Sequence, residues 1–445
     1  MTFAALDSGL TGPLFATAAM RAVFADRARL AAMLRVEAAL AAATAAHGLA
    51  PGELAPAIAA IDPDRLDIAA IGQATALAAV PTIPFVKAVQ ALLPAALEPY
   101  FHKAATTQDI LDSAMALMAG EAMTLLLADL DAVLAGLAAL ARRHRQTPCI
   151  GRSYGQQAAP VTFGWKAAVW AAGIADAAAP WPAIRPRALA ASLGGPVGTL
   201  AGLGPHGPAV AEAFARRLGL PPAPLAWHTR RAGVAQLGGW LAGVIAALAK
   251  MAGDIAHLCS TEVAEVAEPF QPGRGGSSAM PHKRNPVACT VILSAATAAP
   301  GLAASLLAAM AGAAHERPAG AWHAEWHALP ALFGLASGAL AEARLLAAGL
   351  EVDAPRMAAN IALTRGLIFA DALAARLAAA HGRAGAHAAV EAAAAEVRAG
   401  GPGLAERFPE HAGAFDLAPA VAAAQPWIDR ALAAVETTRL ALREG

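Results

Sequence analysis

Charge is scarce in this chain. Only 15% of its 445 residues are charged, and 33 basic residues balance 33 acidic ones. A chain so balanced has no electrostatic footprint for nucleic acid and no polybasic stretch for a membrane surface, so neither is expected as a partner. Cysteine is almost missing. The three present, Cys149, Cys259 and Cys289, make no even framework and no metal-ligand spacing, which excludes a disulfide scaffold and points to no metal. They read as buried reduced thiols of a cytoplasmic protein. Aromatic residues are few, at 5%. The start of the chain lacks a basic segment followed by an apolar run, so no secretory signal is expected there.

What the chain has instead is alanine, the strongest helix former, and a 57% hydrophobic composition. The expectation is an all-α protein of closely packed helices, long enough for two or three domains sharing a large core. One stretch, 287–314, carries no charged residue at all. It exceeds the ~20 residues needed to span a bilayer. However, it is rich in Ala, Ser, Thr and Gly, it is broken by Pro300-Gly301, and it begins in a charged loop. It is read as a helix buried in a bundle.

Chemistry concentrates just before that stretch, in Gly273-Arg274-Gly275-Gly276-Ser277-Ser278-Ala279-Met280-Pro281-His282-Lys283-Arg284-Asn285-Pro286. The glycines permit positive φ and hinge motion, so the segment reads as a mobile loop. Asn285 followed by Pro286 suits an N-cap and first helical position. Free backbone N–H groups and a positive dipole end would then lie beside Lys283, an arrangement that holds an anion.

From Gly276 to Pro286 the loop matches G-S-S-x-M-P-x-K-x-N-P, and so resembles the mobile loop of the fumarase/aspartase superfamily. The resemblance implies the L-aspartase-like fold, a long central helical bundle flanked by two smaller helical domains. It implies that Ser277 transfers the proton and that Lys283 and Asn285 hold a substrate carboxylate, with Ser278 and Met280 beside them. Two further segments carry it. His102-Lys103-Ala104-Ala105-Thr106-Thr107-Gln108-Asp109 resembles H-x-G-x-T-S-x-D, with Ala104 for the glycine and Thr107 for the serine. Thr106 with Asp109 is by itself a capping-box start to a helix; the resemblance adds His102, Thr106 and Thr107 as substrate-binding residues. Gly151, Arg152, Gln156, Ala158, Pro160, Thr162 and Gly164 match G-R-T-H-x-Q-x-A-x-P-x-T-x-G. There Ser153 replaces Thr, and Tyr154 replaces the His that many members use as general acid. Arg152 and Gln156 are carried over as substrate-binding.

The remaining chain is read around these segments. A helix is expected over Asp26 to Gly48, with Glu37 on its surface or against another helix. A first domain closes near residue 100, and 101–350 forms the bundle. Within it, 111–142 and 231–268 are long helices, with Asp129, Asp131, Lys250, Asp254, Glu262 and Glu265 on wetter or helix-pairing faces. The segment 192–208 is a crossover loop. The run 315–326 is either an inter-helix corner or a substrate-shaping segment. Residues 351–445 form a small helical domain without evident chemistry.

The departures from the superfamily pattern point to one branch. Members eliminate a group β to a carboxylate through an aci-carboxylate that needs electrostatic stabilisation. An amine or hydroxide leaving group needs an acid to protonate it. Here Tyr154 stands at the acid position, and Cys289 and Thr290 stand where many members have a supporting Glu. A carboxylate leaving group, with pKa near ~4, needs no proton. That is lactone opening or, in reverse, lactone formation. The loop, the 315–326 run, 19–24 and 227–231 resemble the lactone-forming branch, whose substrate is 3-carboxy-cis,cis-muconate. The implied mechanism adds a substrate carboxylate across a conjugated double bond while Ser277 delivers a proton. Arg152, His102, His282 and Arg274 are candidates to neutralise the other carboxylates, although His282 suits loop support equally well. Tyr154 can donate a hydrogen bond, but an ordinary tyrosine, with pKa ~10, is a poor base. No cofactor is called for. The resemblance further implies a homotetramer with sites shared between subunits and a small di- or tricarboxylate substrate. Adenylosuccinate lyase-like or other fumarate-releasing chemistry, and a non-catalytic binding protein on the same fold, stand as alternatives.

Overall fold

The computed structural model describes residues 3–444. Helix α1 (Asp26–Ala45) buries Leu30, Met33, Leu34, Val36 and Leu40 and ends before Gly48, whose φ of +68° suits a left-handed C-terminal cap. Shorter helices (Leu54–Ala59, Ile68–Ala78 and Thr82–Gln90) pack with it around Ile58, Phe85 and Val89.

The long elements follow. Helix α2 (Thr107–Arg143) leads into the hairpin β1 (Pro148–Ser153) and β2 (Gln156–Thr162), then α3 (Phe163–Ala178). The crossover leads to α4 (Gly207–Leu218) and α5 (Ala232–Leu258). After β3 (Val266–Ala267) and the loop come α6 (Val287–Ala311) and α7 (Ala321–Gly349). Strand β4 (Glu351–Val352) pairs antiparallel with β3 and precedes α8 (Ala354–Ala362). Helix α9 (Ala370–Arg398), bent at Gly382, has a small core of its own around Leu373, Val390 and Leu404. Helix α10 (Ala418–Glu444) returns to the bundle and buries Ile428, Leu432 and Val435 there.

Helices α2, α5, α6 and α7 form the centre, as an L-aspartase-like bundle requires. All four are long and apolar enough to cross a membrane by length and composition alone, but here their apolar faces pack against one another. Their 3.6-residue periodicity puts alanine, leucine and glycine at the contacts, so the helices approach closely. At Gly136 an added β-carbon would sit 2.9 Å from the Ala347 side chain.

Three expectations change. The second long helix stops at Leu258 rather than 268, and a turn with Ala264 at φ +52° precedes β3. Glu265 is consequently fully buried instead of lying on a solvated face. Helix α6 is not buried within the chain: one uncharged face, including Leu293 and Leu307, stays open.

The bundle has two ends. At one end, Arg231 just before α5 sits between Asp112 of α2 (2.7 and 3.1 Å) and Glu325 of α7. It also stacks on Trp227, and Trp322 donates its indole N–H to Asp112 at 3.0 Å. Burial lowers the Arg231 pKa, but Asp112 and Glu325 outweigh it and hold the guanidinium charged. Thus Trp322 and Glu325 of the 315–326 run serve an inter-helix corner. Arg231→Met would leave two buried carboxylates facing each other. The expected cost is about 3–5 kcal/mol, read as a lowered thermal midpoint; an unchanged midpoint would contradict this view of the corner.

Candidate functional site

The loop between β3 and α6 divides into an anchored base and an unanchored tip. At the base, Arg274 pairs with Glu342 of α7. Arg284 donates to the Glu268 carbonyl at 2.6 Å, lies 3.6 Å from Glu351 and covers the Phe270 ring. Gly275 takes φ +70° and accepts from Asn285 N at 2.8 Å; a β-carbon there would meet the Asn285 carbonyl oxygen at 2.5 Å. At the tip, Ser278, Met280, His282 and Lys283 are exposed. Among the described residues, no side-chain hydrogen bond or ion pair holds His282 or Lys283. Ser277 Oγ accepts from Met280 N at 3.2 Å, which leaves its own hydrogen free to be donated.

The start of α6 differs from expectation. Pro286, not Asn285, occupies the N-cap position, and no side chain of its own caps the helix. The cap comes from Glu268, a buried residue 20 positions upstream, whose carboxylate accepts from Ala288 N at 3.0 Å and Cys289 N at 2.9 Å. The positive helix end is therefore already occupied by a carboxylate, and a second anion gains nothing from these N–H groups. Burial and the adjacent Glu268 charge also push the Cys289 thiol up, while burial takes Cys149 up to about 12 and Cys259 up to about 11. The three thiols are free, and thiols held protonated in this way are poor nucleophiles.

The hairpin β1–β2 presents the second segment. Tyr154 at φ +51° and Gly155 at φ +76° make the two-residue turn, and the Tyr154 side chain is fully exposed at its tip. Gln156 is also exposed. Arg152 turns the other way and forms a two-pronged pair with buried Glu265 at 3.0 and 3.3 Å, while Asn360 of α8 donates to the same carboxylate at 2.9 Å. Its charge is thus balanced within the chain. Beside it, Gly151, Arg152, Ser153, Trp165 and Lys166 line a depression of about 270 Å³.

The third segment lies at the opposite end, at the start of α2. Thr106 caps the helix, and buried Asp109 accepts from Thr106 N at 3.0 Å. Asp109 also accepts from Gly194 N at 2.8 Å, Gly195 N at 2.9 Å and His228 Nε2 at 2.6 Å, so each oxygen takes two donors. The crossover loop is thereby tied to the capping turn. His102 at φ +54° and Ala104 at φ +59° both sit in the left-handed region, where a glycine would be unstrained. Lys103 reaches the Leu49 carbonyl at 2.8 Å. Glu37 is not on the surface: its buried carboxylate accepts from His102 Nδ1 at 2.6 Å.

Helix α2 separates these segments. Its 37 residues, at ~1.5 Å each, span roughly 55 Å. His102, Thr106 and Thr107 lie at its start, and the hairpin and the loop lie beyond its far end. The structure brings Arg152 and the loop base to one end, through Glu265 and Glu268, and leaves His102 and Thr107 at the other.

Four residues gave little signal in the sequence. Glu265 and Glu268 look like helix-surface positions if the helix is continued past Leu258; the β-branched run through Thr261, Val263 and Val266 is the cue that it stops. His228 lies in the 227–231 run, but nothing local points to its partner Asp109, and Lys166 has no local pattern.

A family described as lyase matches residues 15–301. The chain is 44% identical over 390 residues to a 3-carboxy-cis,cis-muconate cycloisomerase of Bradyrhizobium diazoefficiens, covering 87% of this chain and 86% of that one. It is 45% identical over 416 residues to a nitrosuccinate lyase of Streptomyces davaonensis, covering 91% and 87%. The crystal structure of the 3-carboxy-cis,cis-muconate lactonizing enzyme of Pseudomonas putida superposes with a TM-score of 0.92 at 39% identity, covering 97% of this chain and all of that one.

Glu268→Ala should uncap α6 and free the loop base. A loss of about 1–2 kcal/mol and faster proteolysis within 273–286 are expected; an unchanged cleavage rate would show that Glu268 does not anchor the loop.

Proposed function

The chain belongs to the lyase family, within the fumarase/aspartase superfamily, and on that premise we propose that it is a cycloisomerase closing 3-carboxy-cis,cis-muconate to 4-carboxymuconolactone, a step of protocatechuate breakdown in the β-ketoadipate pathway. One observation carries the reading. The loop tip leaves the Ser277 hydroxyl hydrogen undonated and the Lys283 ammonium without a hydrogen bond or ion pair among the described residues, while the position of the usual acid holds Tyr154, exposed on a hairpin turn. A site that holds a carboxylate but lacks an acid suits a reaction in which a carboxylate itself adds or leaves.

In the forward direction, a substrate carboxylate oxygen forms a C–O bond to one end of a conjugated double bond. The electron pair moves toward the neighbouring carboxylate as its aci form, which Lys283 and Asn285 stabilise. The helix start of α6, already holding Glu268, takes no part. Ser277 delivers one proton to the carbon, and no bond to a leaving group breaks. Ser278 and Met280 contact the substrate from the loop. Arg152, Gln156 and Tyr154 act from the hairpin, and His102, Thr106 and Thr107 bind another carboxylate.

The span of α2 supports a shared site. Segments roughly 55 Å apart cannot meet within one chain, so a site using all three draws them from different subunits. The open, uncharged face of α6 offers the surface that such an assembly buries. We take the assembly to be a homotetramer of a soluble cytoplasmic enzyme.

A second reading rests on the same vacancy at 154. A nitro group leaving a succinate as nitrite is also a weak base and needs no acid, and the nitrosuccinate lyase is as similar in sequence as the cycloisomerase. Absorbance separates the two. Loss of the conjugated-diene band of 3-carboxy-cis,cis-muconate is expected, with Ser277→Ala lowering kcat by about 10²–10⁴-fold. An unchanged diene band, with fumarate absorbance rising from nitrosuccinate, would replace the cycloisomerase by the lyase.

A further inference from the structure

The turn before α2 contains a pair that the proposed chemistry does not account for. Glu37 lies in the middle of α1, and its side chain has no exposure to solvent. One oxygen meets His102 Nδ1 at 2.6 Å, and the other has no hydrogen-bond partner among the described residues. A buried carboxylate is costly without a partner to share its charge, and among the described residues His102 is the side chain that hydrogen-bonds it. His102 keeps a fifth of its side-chain surface open, on a backbone held at φ +54°. Its ring is therefore pinned at Nδ1, with part of the imidazole left accessible.

We propose that Glu37 is a positioning residue that fixes His102 as an imidazolium, so that the open side of the ring receives a substrate carboxylate at the Thr106–Thr107 turn. The inference rests on the reading that this turn binds substrate. The charged groups around His102 agree with it. Glu37 faces it from α1, and Asp109 adds a second negative charge from α2. The adjoining Lys103 ammonium is held on the Leu49 carbonyl, near the Tyr100 ring. Burial, the largest influence, draws the His102 pKa down, but the charge and hydrogen bond of Glu37 and the charge of Asp109 overcome it and leave His102 above its usual 6.5. The imidazolium thus persists to higher pH than for a free histidine, and affinity for a carboxylate falls as pH rises through that raised value. Glu37 touches no substrate; it acts through His102 by proton placement, as a carboxylate orients a histidine elsewhere.

The test is the titration of His102 in the full-length chain, followed by NMR of histidine-labelled protein, assigned with His102→Gln. In the unaltered chain His102 should titrate above the other accessible histidines, and in Glu37→Gln it should titrate lower. At pH 7.5, KM for 3-carboxy-cis,cis-muconate should rise about tenfold in Glu37→Gln while kcat changes less than twofold, and the upper limb of the pH profile of 1/KM should move down in pH. Should loss of the buried charge prevent folding, Glu37→Asp shortens the reach by one methylene, and a downward shift of the His102 titration is again expected. A titration indifferent to either substitution overturns the pairing. A shifted titration with unchanged KM and profile overturns the role in binding. An unaltered chain that ignores the substrate counts against the cycloisomerase reading instead, while the ligand-free titration still decides the pairing.

Discussion

The rigid length of α2 constrains everything else in this structure. An α-helix cannot fold back on itself, so 37 residues place their two ends roughly 55 Å apart. The other long helices run beside it and inherit the same two ends. Helix α5 starts where α2 starts, at Arg231 and Asp112, and finishes near the hairpin. Helix α6 runs back from the loop, and α7 returns from Glu325 to Glu342 beside Arg274. The connections between these long helices, where polar backbone can be used, fall at the two ends, and so do the segments that carry the chemistry.

Burial explains how so few charges are arranged. In the middle of the bundle, alanine and leucine leave no partner for a charge. At the ends, buried ionisable groups come in matched sets: Asp112 and Glu325 around Arg231, Asp109 with His228, Glu37 with His102, and Glu265 with Arg152 and Asn360. Each set ties two or more elements distant in sequence. Asp109 locks the crossover glycines to the capping turn, and Glu268 locks the loop base to the helix that follows it. The tip residues Ser277, His282 and Lys283 project beyond these anchors. A tip whose His282 and Lys283 side chains make no hydrogen bond or ion pair among the described residues, set on a fixed base, is suited to closing over a ligand and opening again.

Much of this was legible in the sequence. The all-α class followed from alanine content and periodicity, and the loop announced itself by crowding glycine, hydroxyls, His and Lys into 14 residues. The turn at Thr106 and Asp109 was readable because a capping box is local. What escaped was non-local. Glu268 caps α6 across 20 residues, and no N-cap signal at Asn285 and Pro286 could reveal a carboxylate arriving from behind. Glu37 reads as one more surface glutamate in a helix until His102, 65 positions away, is brought against it. The hairpin at 148–162 carries no alternating pattern, since its residues are mostly small and its tip is set by Tyr154 and Gly155. The open face of α6 was hidden for a different reason: an uncharged helix looks alike whether its neighbours come from its own chain or from another.

The proposed active site draws on several chains, because α2 holds its segments apart within each. The direct measurement is complementation. Ser277→Ala chains and Thr107→Val chains, each inactive alone, are dissociated, mixed and reassembled, and turnover of the diene substrate is followed. The mixture is expected to regain activity, since some sites then receive an intact loop from one parent and an intact capping turn from the other. A mixture as inactive as its parents, although shown to contain mixed oligomers, would mean that both segments act from the same chain and that no site is shared.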